Sequence, residues 1–496
     1  MKISAYIILA IVILLPLSCR QDFLDVKPQG QLTSENYFAS EEQAIWAVNT
    51  IYAHIRQNTL PLHIIGMTDI ISDDADKGSE PNDGIFLTAL EEFTFDPGHP
   101  SVLEMWRAQY TGIARANLCI ENIPTVPDIS EAMKNRLLGE ASFLRAFFYF
   151  NLVRWYGDVP LITKTLTPDE YNQNRVSKDQ VYQQIIADLV SAIEVLPEKS
   201  QYPAADMGRA TKGAARGILA KVYLTRRDYA NAEKYALEVV NSGQYTLLPR
   251  YSDIFLPIGE HSSESVFEIG CMAVESWEGR CEFNMVQGVR GIPNLGWGFN
   301  RPSDNLVAQY ENGDPRREAT ILYVGEVLPD GSGVIQPNPA LINPRYNQKA
   351  WTPAHVGLQD NGPGNQRLLR YSDVMLILAE ALNEQGKSGD ALTYLNMVRK
   401  RARGSNNFIL PDVTVTEMRE LRHRIWRERR VELAMEQHRW FDVIRQMEVD
   451  PEYMLPRLKA IQPQFDRFEP SKHLLMPVPQ TEIDLSGQAM GQNPGY

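Results

Sequence analysis

Two short stretches of similar sequence decide the fold class: Leu-Ala-Lys-Val-Tyr at residues 219–223 and Leu-Ala-Glu-Ala-Leu at residues 378–382. Twelve residues after the alanine of each stretch stands another small residue, Ala232 in the first case and Ala391 in the second. A small residue near the middle of each helix lets two helix backbones approach closely, which is the spacing of tetratricopeptide helix pairs. Each stretch therefore predicts one pair of helices in a stacked scaffold.

Apolar residues recur at helical spacing over most of the remaining chain. A third copy of the repeat begins at residues 145–149, and an insertion at 157–177 delays its second helix until residue 178. The full set of predicted helices covers 41–57, 101–123, 131–156, 178–196, 209–226, 229–242, 368–385, 389–403 and 416–446.

The region between residues 244 and 366 lacks this period. It is rich in Pro, Gly and scattered aromatic residues, and its extended runs, such as those at 265–269 and 319–324, are short. We therefore predict a mainly α fold, in which a tetratricopeptide-like helical repeat scaffold carries a large irregular, loop-rich ligand-binding subdomain. Within a single domain at 19–496, the predicted parts are the scaffold at 40–243 and 367–447, the insert at 244–366 and a C-terminal segment at 448–496.

The N-terminus has the pattern of a lipoprotein signal peptide. Lys2 gives a positive start, residues 5–15 are apolar without interruption, and Leu-Ser-Cys follows at 17–19. So short an apolar run does not span a bilayer but suits the core of a signal peptide. We predict that residues 1–18 are removed and that Cys19 is lipidated, which anchors the protein to a membrane. The alternative is an ordinary secretory signal with an incidental cysteine.

Composition narrows the range of partners. The 496-residue chain has a formal charge of −13, and a negative protein binds the negatively charged phosphate backbone of nucleic acids poorly. We therefore do not expect nucleic acid as a partner. Four cysteines are too few for a disulfide scaffold. Cys271 and Cys281 could form one bridge or remain separate, whereas Cys119 lies in a helical pattern and is expected in the core.

The sequence does not support a catalytic or nucleotide-binding motif. Residues 381–388 resemble a phosphate-binding loop, but they begin with Ala where Gly is required and they follow a helix rather than a strand. The patterns G-x-S-x-G and H-E-x-x-H do not occur. We interpret residues 381–388 as the turn between two repeat helices, which needs no bound ligand.

Acidic residues after the first helix allow two further interpretations. Residues 73–78 resemble the start of a calcium loop, but the twelfth position counted from Asp74 is Ile85 rather than Glu. The neighbouring acids Glu91 and Glu92 do not supply the fixed carboxyl separation that glycoside hydrolysis needs. We therefore predict no catalytic residues, no metal ligands and no cofactor.

Aromatic residues in the irregular region indicate ligand binding. Trp277, Trp297, Phe299, Tyr323 and Trp351 lie among Gly, Pro, Asn and Asp on predicted loops, and glycines flank Trp297 on both sides. Flat aromatic faces suit sugar rings, while neighbouring polar side chains bond the hydroxyl groups. The alternative is that these aromatic residues pack beneath long loops.

Eight segments spread along the whole chain form an ordered set of motifs. They are CRQDFLDVKP at 19–28, WRAQYTGIARAN at 106–117, GEASFLRAFFY at 139–149, RWYGDVP at 154–160, GRATKGAA at 208–215, RERRVELA at 427–434, RWFDVIR at 439–445 and QNPGY at 492–496. In this order they resemble the SusD/RagB family of outer-membrane nutrient-binding lipoproteins. Within RERRVELA, Glu428 and Glu432 also stand one helical turn apart, so we expect structural ion pairs across the repeat helices.

The resemblance implies a function. It implies non-catalytic capture of oligosaccharide or polysaccharide at the outside of the outer membrane and delivery to a SusC-like TonB-dependent barrel, which the lipoprotein covers as a lid. It implies that the repeat helices face the barrel and that the loops at about 60–100 and 270–300 form the ligand face. The candidate ligand-binding residues are Trp297, Trp277, Phe299, Asp73 and Phe86.

Two other functions remain open at this point. The same scaffold could bind a non-sugar nutrient such as a peptide, or the protein could be a surface glycoside hydrolase.

Overall fold

The computed structural model describes residues 38–56, 60–271, 282–338, 341, 344–352 and 364–496, and this part of the chain is mainly helical, as predicted. Its α-helices are α1 (Glu41–Ile55), α2 (Leu60–Ile65), α3 (Ile85–Glu91), α4 (Pro100–Asn122), α5 (Glu131–Tyr156), α6 (Lys178–Val195), α7 (Lys212–Thr225), α8 (Tyr229–Asn241), α9 (Phe283–Gln287), α10 (Asp304–Val307), α11 (Pro315–Thr320), α12 (Tyr371–Glu384), α13 (Ser388–Arg403), α14 (Met418–Leu433), α15 (Arg439–Val449), α16 (Pro451–Lys459), α17 (Pro470–His473) and α18 (Gln480–Leu485). A π-helical turn, Gly66–Ile70, follows α2. No helix within the described ranges is long and apolar enough to cross a membrane.

The strands are few and short. They are β1 (Ala75–Gly78), β2 (Ser265–Ile269), β3 (Phe299–Pro302), β4 (Ile321–Tyr323), β5 (Arg345–Asn347) and β6 (Gln366–Arg370). They form three antiparallel pairs, β1 with β3, β2 with β6 and β4 with β5. The extended run predicted at 265–269 is confirmed, whereas only part of the run at 319–324 is a strand because its first two residues complete α11.

The repeat pairs form where the small residues predict them. Helix α7 packs against α8 and α12 packs against α13, and α12 also contacts α8, so the two pairs stack. Ala220, Ala232, Ala379 and Ala391 are all fully buried in these contacts. The side chain of Asp228 caps α8 by accepting a hydrogen bond from the backbone N–H of Asn231. The tetratricopeptide-like pairing is therefore confirmed for both stretches.

The third pair consists of α5 and α6, separated by the predicted insertion. Gly157 ends α5 with a positive φ of 71°, a conformation that favours glycine, and the chain then runs through an irregular segment. Arg145 of α5 donates to Asp188 of α6, with 2.6 Å between Nη2 and Oδ1, and Arg145 also donates to the carbonyl of Thr163 within the insertion. One buried guanidinium thus holds both helices and the insertion together.

The prediction of a single helix at 416–446 is wrong. The structure has two helices, α14 and α15, and the chain between them turns at Met435 and Gln437, which both have φ near +60°. The turn lets Glu436 accept hydrogen bonds from Arg370 and Lys349 in the core. Helical apolar spacing continues through the turn, so the sequence pattern does not reveal it.

Buried ion pairs join the scaffold to the insert. Glu432 of α14 is fully buried and contacts three guanidinium groups, those of Arg316, Arg370 and Arg401. Burial alone raises the pKa of Glu432, but these three positive charges outweigh it and hold the pKa well below its usual range. Glu428, one turn earlier, also pairs with Arg316. The predicted interlocking of these two acids across helices is confirmed.

Candidate ligand groove

A long-range strand pairing brings together the two loop regions that the sequence singled out. Strand β1, from the region after α1, pairs with β3 so that Gly78 lies opposite Phe299 and Ala75 lies opposite Pro302. The backbone N–H of Ser79 extends the pairing with a 2.7 Å hydrogen bond to the carbonyl of Gly298. Residues from 60–100 and from 282–300 therefore form one surface.

An open groove of about 530 Å³ lies on this surface. Its apolar lining comes from Leu62, Phe86, Trp297 and Phe299, and its polar lining from Asp83, Arg290 and Asn294, with Gly84 and Gly296 completing the wall. Aromatic faces beside a few convergent polar groups are typical of sites that bind small polar molecules with apolar patches.

Backbone contacts fix the position of Trp297. Its N–H donates to the carbonyl of Met285 at 2.8 Å, and the next N–H, that of Gly298, donates to the carbonyl of Gly288 at 3.0 Å. Glycine is needed at 296 because a Cβ there would lie 2.3 Å from the oxygen of Met285. The side chain of Trp297 remains 37% exposed, and its indole N–H has no hydrogen-bond partner in the described part of the chain. The aromatic face is therefore held on a rigid backbone and is available to a ligand.

Phe299 and Phe86 expose less of their side chains in the groove than Trp297 does. Phe299 is buried and lines the groove next to Gly84, where a Cβ would lie 2.9 Å from the phenylalanine ring. Phe86 is half-buried, with its ring centroid 5.4 Å from that of His63. Burial and the neighbouring His99 lower the pKa of His63 to about 4, so this imidazole is neutral near pH 7. Both predicted phenylalanines belong to the groove lining.

A charged cluster forms the polar rim. Arg290 donates from Nη2 to Glu80 at 2.9 Å and from Nη1 to the hydroxyl of Ser79 at 2.9 Å, and it also donates to Asp83. Partial burial works to raise the pKa of Asp83, but hydrogen bonds from Ser79 and Arg290 together with the Arg290 charge hold it below its usual range. Asp83 is therefore ionised near neutral pH.

Lys77 fixes the loop that carries this rim. Its ammonium group donates to the carbonyls of Glu80 and Asp83 at 2.8 Å each and to that of Pro81 at 3.4 Å. The side chain is buried, and its ammonium nitrogen lies 6.0 Å from the ring centroid of Phe299, which lines the groove. Sequence reasoning missed Arg290, Asp83 and Lys77, because single charged residues in irregular segments belong to no local pattern.

Asp73 is corrected from a ligand-binding residue to a structural one. It is buried, and its carboxylate accepts from Nε of Arg439 at 2.6 Å and pairs with Arg430 at 2.9 Å. Burial raises the pKa of Asp73, but the charges of Arg430 and Arg439 outweigh it and hold the pKa at about 2. Asp73 ties the segment before β1 to α14 and α15.

The remaining predicted residues separate into three groups. Trp351 is buried in the core and Tyr323 is partly buried against another core cluster, so neither lines the groove. Cys271 is disulfide-bonded and Cys119 is a buried free thiol, as expected for a core residue. Trp277, Cys19 and Cys281 lie outside the described residues, so their predicted roles remain predictions.

One acid lies beneath the groove rather than in it. Glu91, at the end of α3, accepts a hydrogen bond from the backbone N–H of Lys77 at 3.3 Å. Burial and the charge of Asp76 raise the pKa of Glu91 to about 7. Its neighbour Glu92 instead pairs with Arg467 at the surface, so the two adjacent acids do not act together. In the described ranges, no group of three or more His, Cys, Asp or Glu side chains is placed to hold a metal ion.

Comparison with protein families and with known proteins gives consistent matches. Residues 270–496 match the profile described as the SusD family, and residues 22–224 match the profile described as starch-binding associating with outer membrane. The chain is 31% identical to SusD-like protein P2 of Formosa agariphila, and the match covers 99% of each chain. It is 29% identical to a SusD-like protein of Bacteroides ovatus, over 91% of this chain and 84% of that protein.

Solved structures show the same fold. A laminarin-binding SusD-like protein is 28% identical, with a TM-score of 0.78 over 92% of this chain and 100% of that one. Surface glycan-binding protein A from Bacteroides thetaiotaomicron is 25% identical, with a TM-score of 0.77 over 93% of this chain and 100% of that one. The similarity therefore extends over the helical scaffold and the insert together.

Proposed function

The chain belongs to the SusD family, and from that membership we propose that it is a surface-exposed outer-membrane lipoprotein that captures oligosaccharide or polysaccharide without cleaving it. Two similar structures carry the names of glycan-binding proteins, one of them a laminarin-binding protein, and these names support a carbohydrate ligand. The observation that carries the proposal is the groove, where Trp297 presents a rigid, exposed aromatic face beside Asp83, Arg290 and Asn294.

The chemistry of the groove favours a sugar. A pyranose ring has an apolar C–H face that packs on an aromatic ring, and hydroxyl groups at its edge that need hydrogen-bond partners. Trp297 supplies the apolar face, and the carboxylate of Asp83 and the amide of Asn294 supply acceptors and donors at the rim. The indole N–H of Trp297, without a partner among the described residues, adds one further donor.

The placement of the acids supports capture rather than hydrolysis. Glycoside hydrolysis uses two carboxyl groups that flank the scissile bond, one of them protonated. Among the described lining residues Asp83 is the only acid, and it is ion-paired with Arg290. Glu91, whose pKa is raised, lies under the loop and contacts the Lys77 backbone instead of the groove.

Delivery to a barrel and attachment to the membrane complete the proposal. The profile match at 22–224, with its description of outer-membrane association, supports this location. We propose that Cys19 carries the lipid and that a SusC-like TonB-dependent barrel is the partner.

Extraction of the native, lipidated protein in mild detergent should co-purify a large outer-membrane protein. If the protein is recovered only as a free monomer while the barrel is present in the same extract, the proposal that it covers the barrel as a lid is wrong.

Native affinity electrophoresis with Trp297→Ala tests the binding function. A panel of soluble polysaccharides, with laminarin as the first probe, should retard the wild-type protein without releasing shorter products. The loss of one stacking face should weaken binding about threefold to tenfold or more. Trp46→Ala is the matched control, because Trp46 is an exposed tryptophan on α1 outside the groove, and its removal should leave retardation unchanged.

The same panel separates the alternatives. Release of shorter products would identify a hydrolase. A peptide ligand would give a different result. In that case no glycan would retard the protein, and a peptide mixture would bind to the wild type but not to Trp297→Ala.

A further inference from the structure

Three backbone carbonyls of the rim loop, residues 79–84, converge on one ammonium group. Nζ of the buried Lys77 donates to the carbonyl oxygens of Glu80 and Asp83 at 2.8 Å each, and to that of Pro81 at 3.4 Å. A lysine ammonium group has three N–H donors and no acceptor, so the loop engages every donor that Lys77 has. Lys77 itself is not part of the groove lining.

The loop adopts a backbone conformation that needs such support. Gly78 and Gly84 at its two ends have φ of 70° and 51°, and Ser79 has a φ of 53°, which is unfavourable for a residue with a side chain. If the ammonium group were absent, the carbonyls that face Lys77 would lose their shared donor, and such a loss is costly in a buried position. The ammonium group therefore stabilises this conformation of the loop.

The residues that Lys77 holds by their backbones carry the polar side of the groove. Glu80 and Asp83 both pair through their side chains with Arg290, which belongs to the other loop region. Asp83 and Arg290 line the groove. Nζ of Lys77 also lies 6.0 Å from the ring centroid of Phe299, on the aromatic side of the lining. One ammonium group thus interacts with both the polar rim and the aromatic lining.

From these contacts we propose that Lys77 is a positioning residue for ligand binding. Its ammonium group holds the rim loop in the conformation in which Asp83 and Arg290 meet the ligand, although it makes no contact with the ligand itself. A loop that is fixed before binding has less conformational freedom to lose, so the ligand binds more tightly. The inference rests on the proposed glycan-binding function and assigns to the same groove a residue outside its lining.

A second lysine provides a matched control. The ammonium group of Lys199 also donates to backbone carbonyls, those of Ser262 and Ser265, and lies 5.3 Å from the ring centroid of Tyr245. Lys199 is not among the residues that line the groove. Replacing either lysine by methionine keeps a side chain of similar length and removes the ammonium group, so the two variants lose the same kinds of contact at different places.

Native affinity electrophoresis compares the two variants. The probe is laminarin or, if laminarin does not retard the wild type, the first polysaccharide of the panel that does so in a Trp297-dependent way. Lys77→Met should bind about tenfold more weakly than the wild type, because the ligand must then order the loop. Lys199→Met should bind within about twofold of the wild type, because its contacts lie outside the groove. A folded Lys77→Met variant with wild-type retardation, or equal losses in the two variants, would overturn the proposal.

Chemical rescue tests whether the ammonium group is what positions the loop. Lys77→Ala leaves a space that propylammonium can fill, since this ion has the carbons and the nitrogen that the substitution removes. Propylammonium should restore the retardation of Lys77→Ala towards the wild-type level and should leave that of Trp297→Ala unchanged. 1-Propanol, which has a similar size and no charge, should restore nothing at the same concentration. Equal retardation of Lys77→Ala with the two compounds would overturn the role of the ammonium group.

Melting curves show whether each variant is folded. If Lys77→Met does not fold, Lys77→Gln takes its place, because the glutamine amide keeps N–H donors for the loop, and it should bind about threefold more weakly than the wild type. Retardation of the wild type by no polysaccharide of the panel would contradict glycan capture and the role of Lys77 with it. Wild-type retardation that Trp297→Ala loses and the folded Lys77 variant keeps would overturn only the role of Lys77.

Discussion

Tryptophan and arginine serve opposite purposes in the helical scaffold and in the groove. In the scaffold, Trp440 is 1% exposed among aromatic rings, and Arg370 is fully enclosed by the carboxylates of Glu264, Glu432 and Glu436. In the groove, Trp297 is 37% exposed with no partner for its indole N–H in the described ranges, and Arg290 lies on the rim. The two scaffold side chains are enclosed by packing and by ion pairs, whereas the two groove side chains stay partly exposed, and this exposure marks the binding surface.

The buried ion network should show the largest effect on stability. Glu432→Ala removes the carboxylate that three buried guanidinium groups share, and it should lower the free energy of unfolding by about 3–5 kcal/mol. Glu318→Ala is the control, since Glu318 pairs with Arg317 only at 4.0 Å on the exposed surface and should contribute about 1 kcal/mol or less. Chemical denaturation measures both. Equal losses at the two sites would contradict the contrast between buried and exposed ion pairs.

The two tryptophans should separate stability from binding. Trp440→Ala leaves a cavity beside Phe93 and Phe468 and should lower the free energy of unfolding by about 3–5 kcal/mol. Trp297→Ala should change it by about 1 kcal/mol or less, because a third of its surface already faces solvent. Melting curves and glycan retardation are measured on the same preparations. A large drop in the melting temperature of Trp297→Ala, with binding intact, would make Trp297 a packing residue.

The acid beneath the groove should make stability depend on pH. Because the pKa of Glu91 is raised to about 7 in the folded state, the folded protein keeps a proton that the unfolded chain releases near pH 4.5. Its contribution is therefore complete at low pH and is lost as the pH rises from about 5 to 7. Glu91→Gln should flatten this part of the pH profile and raise the free energy of unfolding at pH 8 by about 1–3 kcal/mol. A profile unchanged by the substitution would show that Glu91 ionises normally.

The N-terminal tether should have the smallest effect on the folded body. Cys19→Ala should leave the melting temperature unchanged, since we propose that the N-terminus serves only as a tether, yet it should remove the protein from the membrane fraction. Detergent phase partitioning of whole cells measures the location. Continued partitioning of Cys19→Ala into the detergent phase would contradict lipidation at this residue.

The helical scaffold could be predicted because its signals are local. Each predicted helix from residue 41 to residue 403 is present with boundaries within three residues, since apolar spacing and capping residues act over one or two turns. The break between α14 and α15 escaped prediction because apolar spacing continues across it. What stops the helix is the burial of Glu436 against Arg370 and Lys349, which come from distant parts of the chain.

The ligand groove could be predicted only in part. Glycine-flanked Trp297 is visible in the sequence, because such a residue has no regular element to pack against. The charged rim of the groove is not visible in the sequence, because Arg290 and Asp83 are 207 residues apart and meet through the β1–β3 pairing. The same long-range packing buried Asp73, although its sequence neighbourhood resembles an exposed turn.

The sequence by itself therefore determined the repeat helices, the family and the aromatic candidate on the loop, all of which depend on residues close together or on motifs in a fixed order. The tertiary structure alone decided which charged residues are enclosed and which remain at the rim. The physical reason is that burial and ion pairing depend on neighbours in space, and a charged residue in an irregular segment carries no local signal of which neighbours it will have.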